Sequence, residues 1–292
     1  MIFVREILFS VACLVVLPSL VQGQELQDPF YRYGFPQDEI FIDIDKAGKN
    51  SKEAHKLKVH DVDLSLELKK LEKFKYLKVL ELKNNKLDSL PIDLFENRGL
   101  QYFSCAGNSL KKIPEALANF EKLQELKLIN TRLDSFPSSF RQLFFLRNLE
   151  LQSNVADTFH VNDCFSNLKS LERMLVYRTV LDSFPKSLNG SKKLKELYLV
   201  HTNVGNIDSG LYQCKKLEVL VLEGNGIKQL DKRILNLKNL KVLSFKNNQL
   251  KVLPEYLSKL PQLKTLDLLG NPIPRYQVEI LRILLPKCRI LF

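Results

Sequence analysis

A leucine pattern that recurs every 23 residues constrains the fold of this 292-residue chain more than any other feature of its sequence. Frames of the pattern begin at Leu77, Leu100, Leu123, Leu146, Leu171, Leu194, Leu217, Leu240 and Leu263. The step from Leu146 to Leu171 is 25 residues long, and a weaker frame that begins at Ala54 precedes the others. A unit this short cannot bury its own apolar face, so the units must stack on one another into a solenoid.

Each frame contains a predicted strand, a turn and a return segment. Positions four and six are apolar, as in Leu80 and Leu82, and this alternation predicts a short strand with one side buried. Position nine is Asn85, Asn108, Asn154, Asn225, Asn248 or Asn271, and in three frames it is Thr131, Thr179 or Thr202. A buried amide can hydrogen-bond the backbone of adjacent turns, so the position-nine side chains are predicted to form a ladder of hydrogen bonds along the solenoid. We expect this ladder to be weaker at the threonine frames, because a hydroxyl makes fewer such bonds. Proline at position 15 of five frames disfavours a long helix on the return segment.

The pattern LxxLxLxxNxLxxLPxxLxxLxx, which covers about Ala54 to Ile273, resembles that of leucine-rich repeat proteins of the 23-residue type. The resemblance implies an α/β fold, a leucine-rich repeat solenoid or horseshoe with a concave parallel β-sheet and short 3₁₀ or irregular convex segments. It also implies a role in recognition, adhesion or host interaction.

The chain divides into a signal peptide at 1–23, a leader and N-terminal cap at 24–53, repeats at 54–273 and a C-terminal cap at 274–292. The apolar run from Ile7 to Leu20 is too short to span a bilayer, and a small residue, Gly23, ends the segment. We therefore expect a secreted or periplasmic product without a transmembrane anchor.

Both ends of the solenoid need a cover. Asp43 is predicted to cap a short helical turn over the first repeat, and a helix from Arg275 to Leu285, stopped by Pro286, is predicted to cover the last. The segment before Pro36 has no repeat register, so we expect it to be exposed and partly flexible.

The sequence contains no recognisable catalytic motif. None of the histidines His55, His60, His160 and His201 belongs to a zinc pair or a nucleophile motif. The stretch that begins at Asp43 is similar to the start of a calcium loop, but Ala47 and Ala54 stand where oxygen ligands are needed, which favours a helix cap. We expect no enzymatic activity, no cofactor and no metal.

Four cysteines follow the predicted signal peptide: Cys105, Cys164, Cys214 and Cys288. They fall in different repeats, too far apart for disulfide bonds, so we expect free thiols. A single glycosylation sequon at Asn189 is short enough to arise by chance.

Three consecutive repeats differ from the others on the predicted concave side. We expect Leu175, Tyr177, Tyr198, Val200 and Val221 to be exposed together there, within a rim formed by Arg173, Arg178, Glu196, His201 and Glu223. An apolar centre with tyrosines and a charged rim is typical of protein-binding sites, although such residues also occur in strands for packing reasons. We expect a monomer that binds another protein through these ten residues.

The formal net charge of +11 suggests an alternative. Basic residues recur at positions 22 and 23, just before the strands, and we call them the lysine edge: Lys75, Arg98, Lys122, Lys169, Lys192, Lys193, Lys215, Lys216 and Lys238. This edge would bind carbohydrate or another anionic surface, with nucleic acid not expected. The simpler interpretation is a solvated rim that maintains solubility, because lysines outnumber arginines and no aromatic residues alternate with them.

Overall fold

A computed structural model describes residues 28–35, 37–153, 158–161 and 163–292 of the chain. The predicted signal peptide at 1–23 and the predicted ladder residue Asn154 lie outside these residues. None of the helices in the described ranges has the length and apolar character needed to cross a membrane.

One parallel sheet of twelve strands runs through the described part of the chain, and each strand is hydrogen-bonded to its neighbours in sequence order. The strands are β1 (Ile40–Phe41), β2 (Lys56–His60), β3 (Val79–Lys83), β4 (Tyr102–Ala106), β5 (Glu125–Thr131), β6 (Asn148–Ser153), β7 (Arg173–Tyr177), β8 (Glu196–Val200), β9 (Val219–Val221), β10 (Val242–Ser244), β11 (Thr265–Asp267) and β12 (Arg289–Leu291). In β2 to β11, paired residues occupy the same position of the repeat, as Leu57, Leu80 and Phe103 do. The exception is the end of β5, where the register shifts and Thr131 pairs with Ser153 of β6. The predicted solenoid is therefore confirmed, and the repeat frame is the register of the sheet.

The return segments are 3₁₀-helices, as expected from the prolines. Nine of them lie in the described residues: Leu68–Lys73, Ile92–Glu96, Glu115–Asn119, Ser138–Gln142, Asp163–Phe165, Lys186–Gly190, Ser209–Gln213, Lys232–Asn236 and Glu255–Lys259. Proline precedes five of them, where its fixed φ suits the start of the turn and its missing N–H is not needed. The leucines of strands and return segments meet in one continuous core that includes Leu80, Leu94 and Leu117.

The position-nine side chains form the predicted ladder. Asn108 Oδ1 accepts hydrogen bonds from the backbone N–H groups of Asn85 and Leu87, at 3.0 and 3.1 Å, and its Nδ2 donates to Leu82 O at 3.1 Å. Thr131 contributes one weak bond, from its hydroxyl to the backbone oxygen of Gln152 at 3.4 Å. The amide thus supplies both a donor and an acceptor to neighbouring turns, whereas Thr131 supplies only a donor. The expected weakening is therefore seen at Thr131, but the Thr179 hydroxyl accepts from Ser153 N at 2.8 Å.

Within the described ranges, three α-helices lie outside the repeats: α1 (Pro29–Arg32), α2 (Ile44–Lys49) and α3 (Arg275–Leu284). Asp43 caps α2 as predicted, because its Oδ1 accepts from the N–H groups of Asp45 and Lys46 at 2.8 and 3.0 Å. Helix α3 buries Val278 and Leu281 on the last repeat. Strand β1, which pairs with β2, was not predicted because it has only two residues.

The four described cysteines are free thiols. Cys105 is fully buried in the position where most repeats have leucine, and burial raises the pKa of its thiol to about 12. It serves as a small apolar side chain of the core.

We predict that Asn225→Ala lowers the free energy of unfolding by about 1–3 kcal/mol, because it orphans buried backbone groups. Asn225 Oδ1 accepts from the N–H and the hydroxyl of Thr202, both at 2.9 Å, and its Nδ2 donates to Leu199 O at 2.7 Å. Urea denaturation measures the change. Asn236→Ala is the control, since Asn236 is exposed and makes no side-chain hydrogen bond with the described residues; an equal effect of both variants would contradict the ladder.

Candidate functional site

The predicted site residues converge on three neighbouring strands. Arg173, Leu175 and Tyr177 lie on β7, Glu196, Tyr198 and Val200 on β8, Val221 on β9, and Arg178, His201 and Glu223 directly follow strands or lie beyond their ends. The register aligns Leu175 with Tyr198 and Tyr198 with Val221, and it aligns Tyr177 with Val200. Within each of these columns, neighbouring side chains are separated by about one strand spacing of 4.8 Å.

Two further residues belong to the same cluster. Val219 and Val242, aligned on β9 and β10, pack with the predicted apolar residues. Both stand at position three, and reading that column for apolar as well as charged residues would have identified them. We call the combined surface the apolar patch: Leu175, Tyr177, Tyr198, Val200, Val219, Val221 and Val242.

The expectation that all five predicted apolar residues are exposed is wrong. Tyr198, Val200 and Val221 are 4%, 7% and 2% exposed, whereas Leu175 and Tyr177 are half-buried. Neighbouring strands are only about one strand spacing apart, so large side chains on adjacent strands contact each other laterally and cover one another on the sheet surface. Leu175 and Tyr177 are therefore the members that present the most side-chain surface.

A network of charged groups holds one side of the apolar patch. Arg173 Nε lies 2.7 Å from Glu196 Oε2, and the Tyr198 hydroxyl donates to the same oxygen at 3.1 Å. The Arg173 guanidinium also lies over the Tyr198 ring, 5.7 Å from its centroid. Burial and then the Glu196 charge raise the pKa of Tyr198; burial lowers the pKa of Arg173, but Glu196 raises it above its usual range. Tyr198 therefore stays neutral and Arg173 charged.

The other side of the patch contains Glu223, Arg178 and His201. Glu223 Oε1 lies 3.0 Å from Lys246 Nζ and accepts from Asn247 Nδ2 at 3.1 Å. Arg178 and His201 are exposed, with φ of +49° and +53°. Position eight adopts this left-handed conformation in many frames and is usually Gly or Asn, so a bulky residue there is unusual.

A shallow depression of about 680 Å³ lies beside His201, beyond the ends of β8 to β10. It is lined by Val180, His201, Asn203, Gly224, Asn225, Gly226, Asn247 and Gln249. These residues come from turns of neighbouring repeats, so the depression is an open groove between turns.

The described part of the leader, 28–35, lies on the concave side of the first repeats, and we call it the strap. Phe30 and Tyr33 are 2% and 6% exposed and pack with Val79 and Tyr102, the position-three residues of β3 and β4. The Tyr33 and Tyr102 rings are stacked, with centroids 6.2 Å apart. The expectation of an exposed leader is thus wrong for these two residues, because their aromatic rings have an apolar column to pack on.

Polar contacts fix the strap. Glu125 on β5 accepts from the Tyr33 hydroxyl at 3.3 Å, and Arg32 Nη1 lies 3.5 Å from the same oxygen. The almost fully buried Lys56 donates from Nζ to Phe35 O at 2.7 Å. Burial, followed by the Glu125 charge, raises the pKa of Tyr33.

A sequence signal for the strap was available. Asp28 caps α1, since its Oδ1 accepts from Phe30 N at 2.9 Å, and Pro29 occupies the first helical position. An Asp-Pro start followed by aromatic residues three apart is typical of a short helix with one apolar face.

The structure places the lysine edge on the side of the solenoid where the chain enters the strands. Lys75 and Arg98 are paired, with Glu96 at 2.7 Å and Glu121 at 2.9 Å. The other seven are exposed and form no ion pair with the described residues. We expected no aromatic residues to alternate with the basic residues of this edge, but Tyr76, Phe144 and Phe145 occupy the same repeat positions and are 54%, 47% and 59% exposed.

The carboxylates of the calcium-like stretch are occupied by the protein itself. Asp43 caps α2, and Asp45 Oδ1 lies 2.9 Å from Lys70 Nζ. Among the described residues, no three His, Cys, Asp or Glu side chains are grouped so that they could hold a metal ion.

Comparison with protein families gives two adjacent matches. The family described as leucine-rich repeat region matches residues 59–214, and the family described as leucine rich repeat matches residues 215–273. No curated protein sequence matches the chain.

Several solved structures share the fold. The plant peptide hormone receptor RGFR1 in complex with RGF2 has a TM-score of 0.62 at 22% identity, over 81% of this chain and 38% of the receptor chain. The leucine-rich repeat domain of the type III effector XCV3220 (XopL) has a TM-score of 0.63 at 22% identity, over 78% of this chain and 80% of that one. An internalin, InlF, from Listeria monocytogenes has a TM-score of 0.57 at 20% identity, over 81% of this chain and 71% of the internalin. The chain spans 38% of the receptor, and identities this low show the fold alone.

We predict that Phe30→Ala with Tyr33→Ala releases the strap. Removing both rings should speed trypsin cleavage after Arg32 by about tenfold or more, because cleavage requires the segment to leave the sheet. Mass spectrometry of the released peptide measures the rate. Tyr31→Ala is the control, since Tyr31 lies in the same helix but is 71% exposed; equal rates in all three proteins would contradict the described packing.

Proposed function

This chain belongs to the leucine-rich repeat family, and from that premise we propose that it is an exported, non-enzymatic protein that binds a protein partner through the apolar patch on its concave face. The observation that carries the proposal is the concentration of apolar side chains, two of them tyrosines, on β7 to β10 within a charged rim. Binding sites with an aromatic centre and a polar rim have this composition.

Preorganisation supplies the mechanism. The apolar patch lies on hydrogen-bonded strands, and ion pairs already fix Arg173 and Glu223 on either side of it. A partner would therefore bind without ordering these side chains, which lowers the entropic cost of association.

The strap indicates the chemistry that suits this concave face. On β3 to β5 the face holds a short helix through two aromatic side chains, three residues apart, and one arginine. We propose that a partner presents a comparable segment, with apolar or aromatic side chains on one side, to the apolar patch. A protein of the same fold, the plant receptor named above, was solved in complex with RGF2.

The backbone at Arg178 and His201 supports a functional role for that rim. A residue other than glycine pays a conformational cost in the left-handed region, and such strain is concentrated at functional sites. Both residues lie at the ends of the strands that carry the patch.

Export is proposed from residues 1–23 alone, whose apolar run and small-residue ending are typical of a signal peptide.

We predict that Tyr177→Ala with Tyr198→Ala weakens partner binding by about 100-fold or more, since truncating a hot-spot tyrosine typically costs about 2 kcal/mol. Partners would be recovered from the native extracellular or envelope fraction and from a random peptide display library, and their affinities measured by calorimetry. Tyr31→Ala with Tyr276→Ala removes two exposed tyrosines elsewhere and should leave binding intact. Because Tyr198 is buried, its replacement could disturb folding, so Tyr177→Ala is also tested alone and circular dichroism checks that each variant is folded. Unchanged affinity in both patch variants would refute the proposal.

The salt dependence of binding distinguishes a partner bound at the apolar patch from one bound at the lysine edge. Binding at the apolar patch should persist at about 0.5 M salt, where the Debye length falls to about 4 Å and exposed charges are screened. Titration of each recovered partner in low and high salt is the measurement. Loss of binding at high salt would point instead to exposed lysines.

We further predict that Arg178→Gly raises the free energy of unfolding by about 0.5–1 kcal/mol, because it relieves the left-handed strain, yet weakens partner binding. Thermal or urea unfolding and calorimetry give the two quantities. Asn84→Gly is matched in conformation, with φ of +53°, and lies away from the patch, so it should leave binding unchanged. A variant that gains stability without losing affinity would remove Arg178 from the site.

A further inference from the structure

We propose that the lysine edge, together with Phe144 and Phe145, is a docking surface for an anionic lipid bilayer. The proposal concerns a side of the solenoid different from the concave face and does not depend on the protein-binding site.

Most basic residues of the lysine edge have no ion-pair partner in the described part of the chain. Seven members of the lysine edge are exposed and form no ion pair with the described residues: Lys122, Lys169, Lys192, Lys193, Lys215, Lys216 and Lys238. Acidic residues beside them are already paired, as Glu172 is with Lys195 at 2.9 Å and Glu218 with Lys241 at 2.6 Å. The seven positive charges are therefore free to attract an anionic surface.

The repeat register arranges these charges for contact with an extended surface. They occupy five of the six turns that precede β5 to β10, and the sixth, before β6, contains Phe144 and Phe145. Each turn is displaced from the next by about 4.8 Å. Six consecutive turns thus extend over about 24 Å, wide enough to cover several lipid headgroups. Each lysine near an anionic membrane strengthens binding by about fivefold.

The two phenylalanines favour a bilayer over a partner that is held by charge alone. Phe144 and Phe145 form the turn between those of Lys122 and Lys169, and about half of each side chain is exposed. Phenylalanine has no group that can hydrogen-bond a sugar or a base edge, whereas its ring gains free energy when it enters the acyl boundary. Adjacent apolar side chains within a field of lysines are typical of proteins that lie on membranes.

The geometry is compatible with partner binding. The lysine edge precedes the strands, whereas the apolar patch lies on the strands themselves, so docking by the edge leaves the patch open. Lipid binding and protein binding are therefore separable by mutation.

The test is co-sedimentation of the whole protein with phosphatidylcholine vesicles, with or without about 30% phosphatidylglycerol, at about 0.1 M salt. We expect the anionic vesicles to bind at least about tenfold more tightly than the neutral ones. Equal binding to both, or binding to neither, would overturn the proposal.

Two variants with matched controls locate the surface. Phe144→Ser with Phe145→Ser should weaken binding about tenfold or more, whereas Ile92→Ser with Val252→Ser, at exposed positions elsewhere, should not. Replacing Lys192, Lys193, Lys215 and Lys216 by Gln should weaken binding to anionic vesicles by about tenfold or more and leave binding to neutral vesicles unchanged. The same replacement of Lys111, Lys112, Lys228 and Lys251, exposed on the opposite side, should have little effect. Controls that weaken binding as much as the edge variants would overturn the location.

Other polyanions are the competing outcome. A heparin fragment and a short DNA duplex are titrated against the same proteins. The bilayer proposal is wrong if two results are found together. The first is that heparin or DNA binds more tightly than the anionic vesicles. The second is that the phenylalanine variant binds both that polyanion and the vesicles as tightly as the unmodified protein does; the edge is then a polyanion site.

Discussion

The pairing of each strand with the strand one repeat away is the interaction on which the rest of the structure depends. Apart from the Thr131–Ser153 pair at the end of β5, partners in β2 to β11 share a repeat position, so an apolar residue at position four contacts its equivalents above and below. A slip by one residue would turn the buried leucines of a strand outward, which fixes the register strongly. The asparagine ladder enforces the same register from the turns. Because this pairing aligns the residues of one repeat position across the strands, it also places the apolar patch and the lysine edge.

The fold was predictable from sequence because many independent positions repeat the same requirement. The caps were also predictable, since Asp43 and Pro286 act on their own local backbone. The short helix of the strap had a local signal at Asp28 and Pro29, but its position on the sheet was not predictable, because Tyr33 bonds to Glu125, 92 residues away and outside the repeat register. No local pattern states which part of a sheet a short aromatic helix will cover.

The sequence predicted which residues of the candidate site lie side by side, but not how exposed they are. The repeat frame placed Tyr198 and Val221 side by side, as the structure does, but it contained no measure of how far neighbouring side chains cover one another. Phe144 and Phe145 illustrate a different limit. Their positions in the repeat were known, yet a search for charge alone passed over them, and only their exposure beside unpaired lysines reveals a shared surface.

The two surfaces differ in whether their charges are already satisfied. On the concave face, Glu125 contacts Arg32 and Lys127, and Glu196 contacts Arg173, so these carboxylates are already paired with basic side chains of the same chain. A partner that met them would gain little from further charge, and its affinity must come from apolar contact with residues such as Tyr177. The lysine edge has the opposite character, because seven of its nine cations form no ion pair with the described residues. One repeat frame thus places the proposed protein-binding patch on the strands and the proposed lipid-docking edge on the turns, so substitutions can address one surface without altering the other.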